Sequence, residues 1–235
     1  KPHAERPRLV ASLIIRNEVE WFLEPILRHL HEIVDAFVII DDDSSDNSAQ
    51  LCRSIITEKN LTLIELKRSL FHKEHKLRRF QWELTQAQNP EWILCLDADE
   101  FFEDRWRKIL PGLLNQTEYH VVGFRKYDMW DENHYREDEI WDAHQSIWPH
   151  LVRNLPQINN AFFNKNLHCG RIPARYNSLP ILRSVLRVKH YGSASQKIRE
   201  RKYKRYFLLD PDGDLGCTAQ YRSLMDPNPN LIVWE

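Results

Sequence analysis

No apolar run in this chain of 235 residues approaches the ~18 residues that a membrane span needs. The polar start, KPHAERPR, lacks the apolar core of a signal peptide and reads as a linker or terminal boundary. Cysteine is scarce. Cys52, Cys95, Cys169 and Cys217 show no CxxC spacing, which points to reduced thiols and a cytoplasmic setting, not a disulfide framework. An excess of one charge is missing too: 33 basic against 34 acidic residues gives a formal net charge of −1. No global field then favours nucleic acid or a membrane surface. Internal repeats and low-complexity tracts are also absent. What remains is an ordinary soluble composition, 42% hydrophobic and 29% charged, of a length that fits one domain over residues 1–235.

The first half alternates two kinds of pattern. Leu9 to Ile15, Ala36 to Ile40, Leu61 to Leu66 and Glu91 to Leu96 are short, nearly continuous apolar runs. Runs of that kind suit strands covered on both faces, as in parallel sheets. Between them lie helical spacings: Glu18 to His31, with Pro25 as a possible kink, then a segment capped by Ser44-Ser45-Asp46, then Glu74 to Gln88. A further helix is expected over Asp104 to Leu114. Four alternations predict an α/β fold with a mainly parallel, Rossmann-like sheet flanked by helices. The second half is more irregular, with a late strand at Val185 to Val188 and a charged helix from about Ser195 to Leu209.

Two of the predicted strands end in carboxylates. The second runs into Asp41-Asp42-Asp43, and the fourth, ILCLDADEFF, into Asp97-Ala98-Asp99-Glu100. Ligands of open α/β sheets bind beyond the carboxyl ends of the strands, so one crevice would hold both acidic groups. Acids this close repel, and an unpaired buried carboxylate costs several kcal/mol. A cation is therefore expected. Mg²⁺ and Mn²⁺ favour carboxylate and phosphate oxygens. A D-x-D step on an extended strand aims its two carboxylates the same way, while Glu100 points elsewhere. Two carboxylates make an incomplete cage, which suggests a metal arriving with a diphosphate. Removing the Asp99 charge is expected to relieve repulsion and raise the stability of the metal-free protein.

These residues resemble glycosyltransferase family 2, whose members have the GT-A fold. Ile39-Ile40-Asp41-Asp42-Asp43-Ser44-Ser45-Asp46 is similar to the family's apolar-apolar-DDGSTD segment, with Asp43 in place of glycine. Ile14-Ile15-Arg16-Asn17-Glu18 resembles its first strand exit, and Trp92 to Phe101 its DxD segment. The resemblance covers about residues 8 to 115 and implies a nucleotide-sugar-binding half there, with an acceptor-side half over 116–235. It implies sugar transfer from a nucleotide-diphosphate donor, a UDP-sugar, with inversion. Arg16, Asn17, Asp41, Asp42, Arg78 and Asp97 would meet the donor. Asp97 and Asp99, with His190 after the late strand, would hold the metal, Mn²⁺ or Mg²⁺. Arg78 and Arg79 both precede the metal strand, and a solvated helix face is the simpler reading of either one alone. The acceptor stays open: glycan, lipid-linked or protein.

Inverting transfer needs a base for the acceptor hydroxyl. The acid-rich segment from Asp128 to Asp142 supplies candidates. Asp138 is favoured, because Tyr135-Arg136 and Trp141 flank it in a family-like pattern; Glu137, Asp142 and His168 remain alternatives. Rival classes fit less well. A dehalogenase-like phosphatase carries its DxD on the first strand, and a nucleotidyltransferase has a glycine-rich loop where this chain has Arg16-Asn17-Glu18. An inactive sugar-nucleotide-binding or scaffold module is the non-enzymatic alternative, and the intact acids argue against it.

Overall fold

The computed structural model describes residues 6–214 and 216–235. The first five residues of the polar start thus lie outside it. In chain order the elements are β1 (Leu9–Ile15), α1 (Leu23–His31), β2 (Ala36–Asp41), α2 (Ser48–Ile55), β3 (Asn60–Glu65), α3 (Glu74–Gln86), β4 (Trp92–Cys95), β5 (Glu100–Phe102) and α4 (Trp106–Asn115). The second half adds β6 (Val121–Asp128), β7 (His134–Arg136), β8 (Trp148–Arg153), β9 (Ile181–His190), α5 (Gln196–Leu209), α6 (Thr218–Ser223) and β10 (Leu231–Val233).

Eight strands form one sheet in the order β3-β2-β1-β4-β8-β6-β9-β5. The first four are parallel, and β8 joins β4 antiparallel. The runs of β1, β2 and β4 are apolar because both faces are covered: every residue of β2 and β4 is buried, whereas the edge strand β3 is only partly so. The main core packs Leu9, Leu13, Phe37, Ile39 and Leu94 against Leu23, Ile26, Leu27 and Leu30 of α1.

One helix expectation needs correction. Helix α1 starts at Leu23, five residues later than its apolar spacing predicts. Pro25 therefore sits in the first turn, where a missing N–H breaks no helical bond, and it is no kink. Helix α4 runs through Pro111 to Asn115.

The irregular half also carries more sheet than its pattern suggests. Strands β6 and β8 extend the same sheet, and β9 is ten residues long, not four. A small second sheet, β10-β7, stands apart among the described residues. Among the described residues, no helix is long and apolar enough to cross a membrane.

Candidate active site

The strand ends of β1, β2 and β4 open into a cleft of about 1450 Å³, which α5 and the β8–β9 segment close from the other side. At the first rim, Asn17 and Asp43 both adopt left-handed backbone, with φ of 55° and 65°. Asp43 occupies the place of a glycine in the motif it resembles, and the observed φ explains why glycine is preferred there. The Asn17 side chain accepts from the Ser45 N–H at 2.7 Å, tying the two strand exits together.

Asp41 and Asp42 are both buried but do different work. Asp41 accepts the Ser44 N–H at 2.8 Å, holding its own turn. Asp42 lines the cleft and accepts from the Ser69 hydroxyl at 2.6 Å and the Leu70 N–H at 2.7 Å. Arg16 donates to the same Ser69 hydroxyl at 2.9 Å. Arg16, Asn17 and Asp42 thus share one rim. Asp42→Ala is expected to weaken UDP binding by about tenfold, the loss of a charge-assisted contact. Asp41→Ala should mainly lower the melting temperature. Equal UDP affinity for Asp42→Ala and the parent in a titration would remove Asp42 from the donor site.

The acidic turn answers the question raised by its crowded charges. Strand β4 ends at Cys95, and Asp97 to Glu100 form a turn closed by Glu100 N–H to Asp97 O at 3.1 Å. The D-x-D step is therefore not extended, and the two carboxylates diverge. Asp97 accepts from Arg78 at 3.2 Å and from Arg171 at 3.1 Å, one arginine on each oxygen. Asp97 is thus already neutralised by protein cations, which fits donor contact better than metal ligation. Of the two arginines of α3, Arg78 lines the cleft, whereas Arg79 pairs with Glu83 on the surface.

Glu100 does point elsewhere. It is fully buried, forks onto both terminal nitrogens of Arg171, and accepts from the Asp97 N–H at 3.0 Å. Lys126 and His150 approach it at 3.8 and 3.6 Å. Burial would raise its pKa, but Arg171 and His150 hold it well below the usual carboxylate range.

Asp99 turns the other way, toward His190. Register explains the meeting: β9 lies between β5 and β6, and His190 is the partner of Glu100 on one side and Asp128 on the other. His190 Nδ1 is 2.5 Å from Asp128, and its Nε2 is 3.6 Å from Asp99 Oδ2. Burial alone would lower the imidazole pKa, but Asp99 and Asp128 raise it to about 9. Burial would likewise raise Asp99, but His190 and Lys202 outweigh it and hold the carboxyl at about 2. Across the cleft, burial and the Asp99 charge push Glu18 up to about 7.

Gly192 borders the same spot. A Cβ there would stand 2.6 Å from His190 Nε2 and 2.7 Å from Asp99 Oδ2. Beside this side-chain-free cradle stand one hard oxygen and one imidazole nitrogen, donor types that a divalent cation takes, together with the Lys202 ammonium 2.9 Å from the same point. Among the described residues no third histidine, cysteine or acid joins them as a ready cage. A cation here would depend on ligand oxygens for the rest of its shell.

The favoured base does not face the cleft. Asp138 accepts from Arg136 at 2.6 Å and from the N–H groups of Ile140 and Trp141 at 2.9 and 3.0 Å. Its carboxylate is a structural staple. Glu137 is engaged with His144 at 3.2 Å. Of the alternatives, Asp142 and His168 line the cleft. Two further cleft residues, Arg171 and Lys202, carry no charge pattern that sets them apart in the sequence: one lies in an irregular segment, the other among the many basic residues of a charged helix.

Residues 13–177 match the sequence profile described as Glycosyl transferase family 2. No curated protein sequence matches the chain. Among solved structures, Staphylococcus aureus TarS matches with a TM-score of 0.58 at 12% identity, covering 93% of this chain. This chain spans only 42% of that TarS chain. The TarS 1–349 fragment matches in complex with UDP, at a TM-score of 0.55 and 12% identity, with 93% of this chain and 69% of the fragment covered. Its complex with UDP-GlcNAc matches at 0.55 and 14%, with 93% and 70% covered. At such identities the likeness is one of fold.

Proposed function

The chain belongs to glycosyl transferase family 2, and from that premise we propose that it moves a sugar from a UDP-sugar donor to an acceptor hydroxyl with inversion. The observation behind this reading is the convergence of Asp99 and His190, beside Gly192, in the same cleft as the Asp42 rim. TarS, solved with UDP and with UDP-GlcNAc on the same fold, supports a uridine diphosphate donor. We read residues 8–115 as the donor half and 116–235 as the acceptor side.

The protein's own groups take the following roles. Asp42 and Arg16, with the Ser69 loop, bind the uridine end. Asp97, locked by Arg78 and Arg171, presents a fixed edge to the donor. Asp99 and His190 would hold Mn²⁺ or Mg²⁺, which when bound would supply Lewis-acid charge to the departing diphosphate. Asp142 is the base: it takes the proton as the acceptor oxygen attacks the anomeric carbon from the face opposite the diphosphate. The diphosphate leaves with the electron pair of the broken bond.

Asp142→Asn is expected to slow nucleotide-sugar turnover by about 100-fold or more while leaving UDP affinity unchanged. Asp138→Asn should instead melt lower and turn over normally once folded. Unimpaired turnover in Asp142→Asn would exclude that residue. The reaction itself is tested by incubating the protein with a panel of α-linked UDP-sugars and Mn²⁺, with water as acceptor, and following the products by proton NMR. The β sugar should appear first. An α sugar would refute inversion, and an untouched panel would refute the donor class.

A further inference from the structure

Helix α5 reads in the sequence as a charged helix, and one of its faces looks into the cleft. Arg201, Lys202 and Arg205 line the cleft together, because spacings of three and four residues put side chains on one side of a helix. Ser195 caps this helix, accepting the Ile198 N–H at 3.3 Å, so the face is set by regular structure and not by a loop. Arg201 is held at the first rim, over the Trp21 ring at 4.3 Å.

Lys202 reaches furthest. Its ammonium donates to the Gly192 carbonyl at 3.0 Å, using one of its three protons. The space beside Gly192 is the informative feature. A Cβ placed there would be 2.9 Å from Lys202 Nζ, as well as close to His190 Nε2 and Asp99 Oδ2. Lys202 therefore borders the same cradle as the two metal ligands. Arg205 stands 5.3 Å over the Phe71 ring, directly after the Ser69–Leu70 loop that Asp42 holds. The two cations thus span the interval between the metal cradle and the uridine rim. Their field shows on a neighbour: burial would raise the Tyr206 hydroxyl, but Lys202 and Arg205 bring it below its ordinary value.

We propose that Lys202, with Arg205 beside it, binds the donor's diphosphate directly, so that part of the donor affinity survives removal of the divalent metal. This rests on the UDP-sugar reading above. The chemistry follows from charge. When the anomeric C–O bond breaks, its electron pair stays on the terminal phosphate oxygen, and the ammonium compensates that charge without giving up a proton. Lys202 is thereby a catalytic residue as well as a binding one.

Calorimetric titration of UDP and UMP tests this in EDTA and in Mn²⁺. In EDTA the parent should bind UDP more tightly than UMP, since only UDP reaches past the uridine rim to Lys202. Lys202→Met should lose about tenfold in UDP affinity in EDTA, the worth of one charge-assisted contact, with UMP affinity unchanged. Lys202→Arg, which keeps the charge and guards against a folding artefact, should retain most of it. A parent that binds UDP no better than UMP in EDTA, or a Lys202→Met protein that matches the parent, overturns the inference. A parent that binds neither nucleotide even with Mn²⁺ overturns the donor reading and this inference with it.

Discussion

Asp99→Asn is expected to lower nucleotide-sugar turnover at least ~100-fold, about 3 kcal/mol of transition-state stabilisation. The substitution keeps the shape of the turn and removes the one anionic oxygen that faces both His190 and the Gly192 cradle. The gain in UDP affinity on adding Mn²⁺ should disappear with it. Stability should move opposite to the simple repulsion argument. The Asp99 pKa is depressed from 3.8 to about 2, so its charge stabilises the folded state above pH 4, and that contribution fades only as the pH falls through about 2. At neutral pH the asparagine protein lacks it and should melt slightly lower, not higher. Each acid of the turn already has its own cation, so no net repulsion is left to relieve. Normal turnover of Asp99→Asn with Mn²⁺ would defeat this assignment.

The second large effect is on folding. Arg171→Met should destabilise the protein by about 3–5 kcal/mol, because it strands a fully buried Glu100 with only Lys126 and His150 nearby. It also releases one oxygen of Asp97 and the Cys95 carbonyl, which Arg171 reaches at 3.1 and 3.3 Å. Arg79→Met removes an exposed i,i+4 pair with Glu83 and should change stability by less than ~1 kcal/mol. Urea denaturation of the two variants side by side measures the contrast. Similar midpoints would mean that the buried cluster is not what holds the turn.

These outcomes mark where sequence reading succeeds and where it stops. Strands β1, β2 and β4 are legible because they are covered on both faces, so Val38-Ile39-Ile40 and Ile93-Leu94 stand out as unbroken apolar runs. The two acidic strand ends are legible for the same reason, since charge directly after such a run is conspicuous. Strands β6 and β8 hide, because Arg125 and Lys126 or Pro149 and His150 interrupt their short apolar stretches. The choice between Asp138 and Asp142 is not local either. The two like carboxylates are only four positions apart, and only the folded chain shows that one staples Arg136 while the other opens on the cleft. Arg171 pairs with an acid 71 positions away, a distance at which no sequence spacing carries information.

The claim on which the rest depends is that this cleft binds a uridine diphosphate through a cation held by Asp99 and His190. Calorimetry of UDP with the parent protein, once in EDTA and once in Mn²⁺, tests it most directly. Binding in both conditions, tighter by at least about tenfold with the metal and with that gain absent in His190→Ala, is the predicted result. UDP affinity that is the same with and without Mn²⁺, or a metal gain that His190→Ala leaves intact, would contradict it.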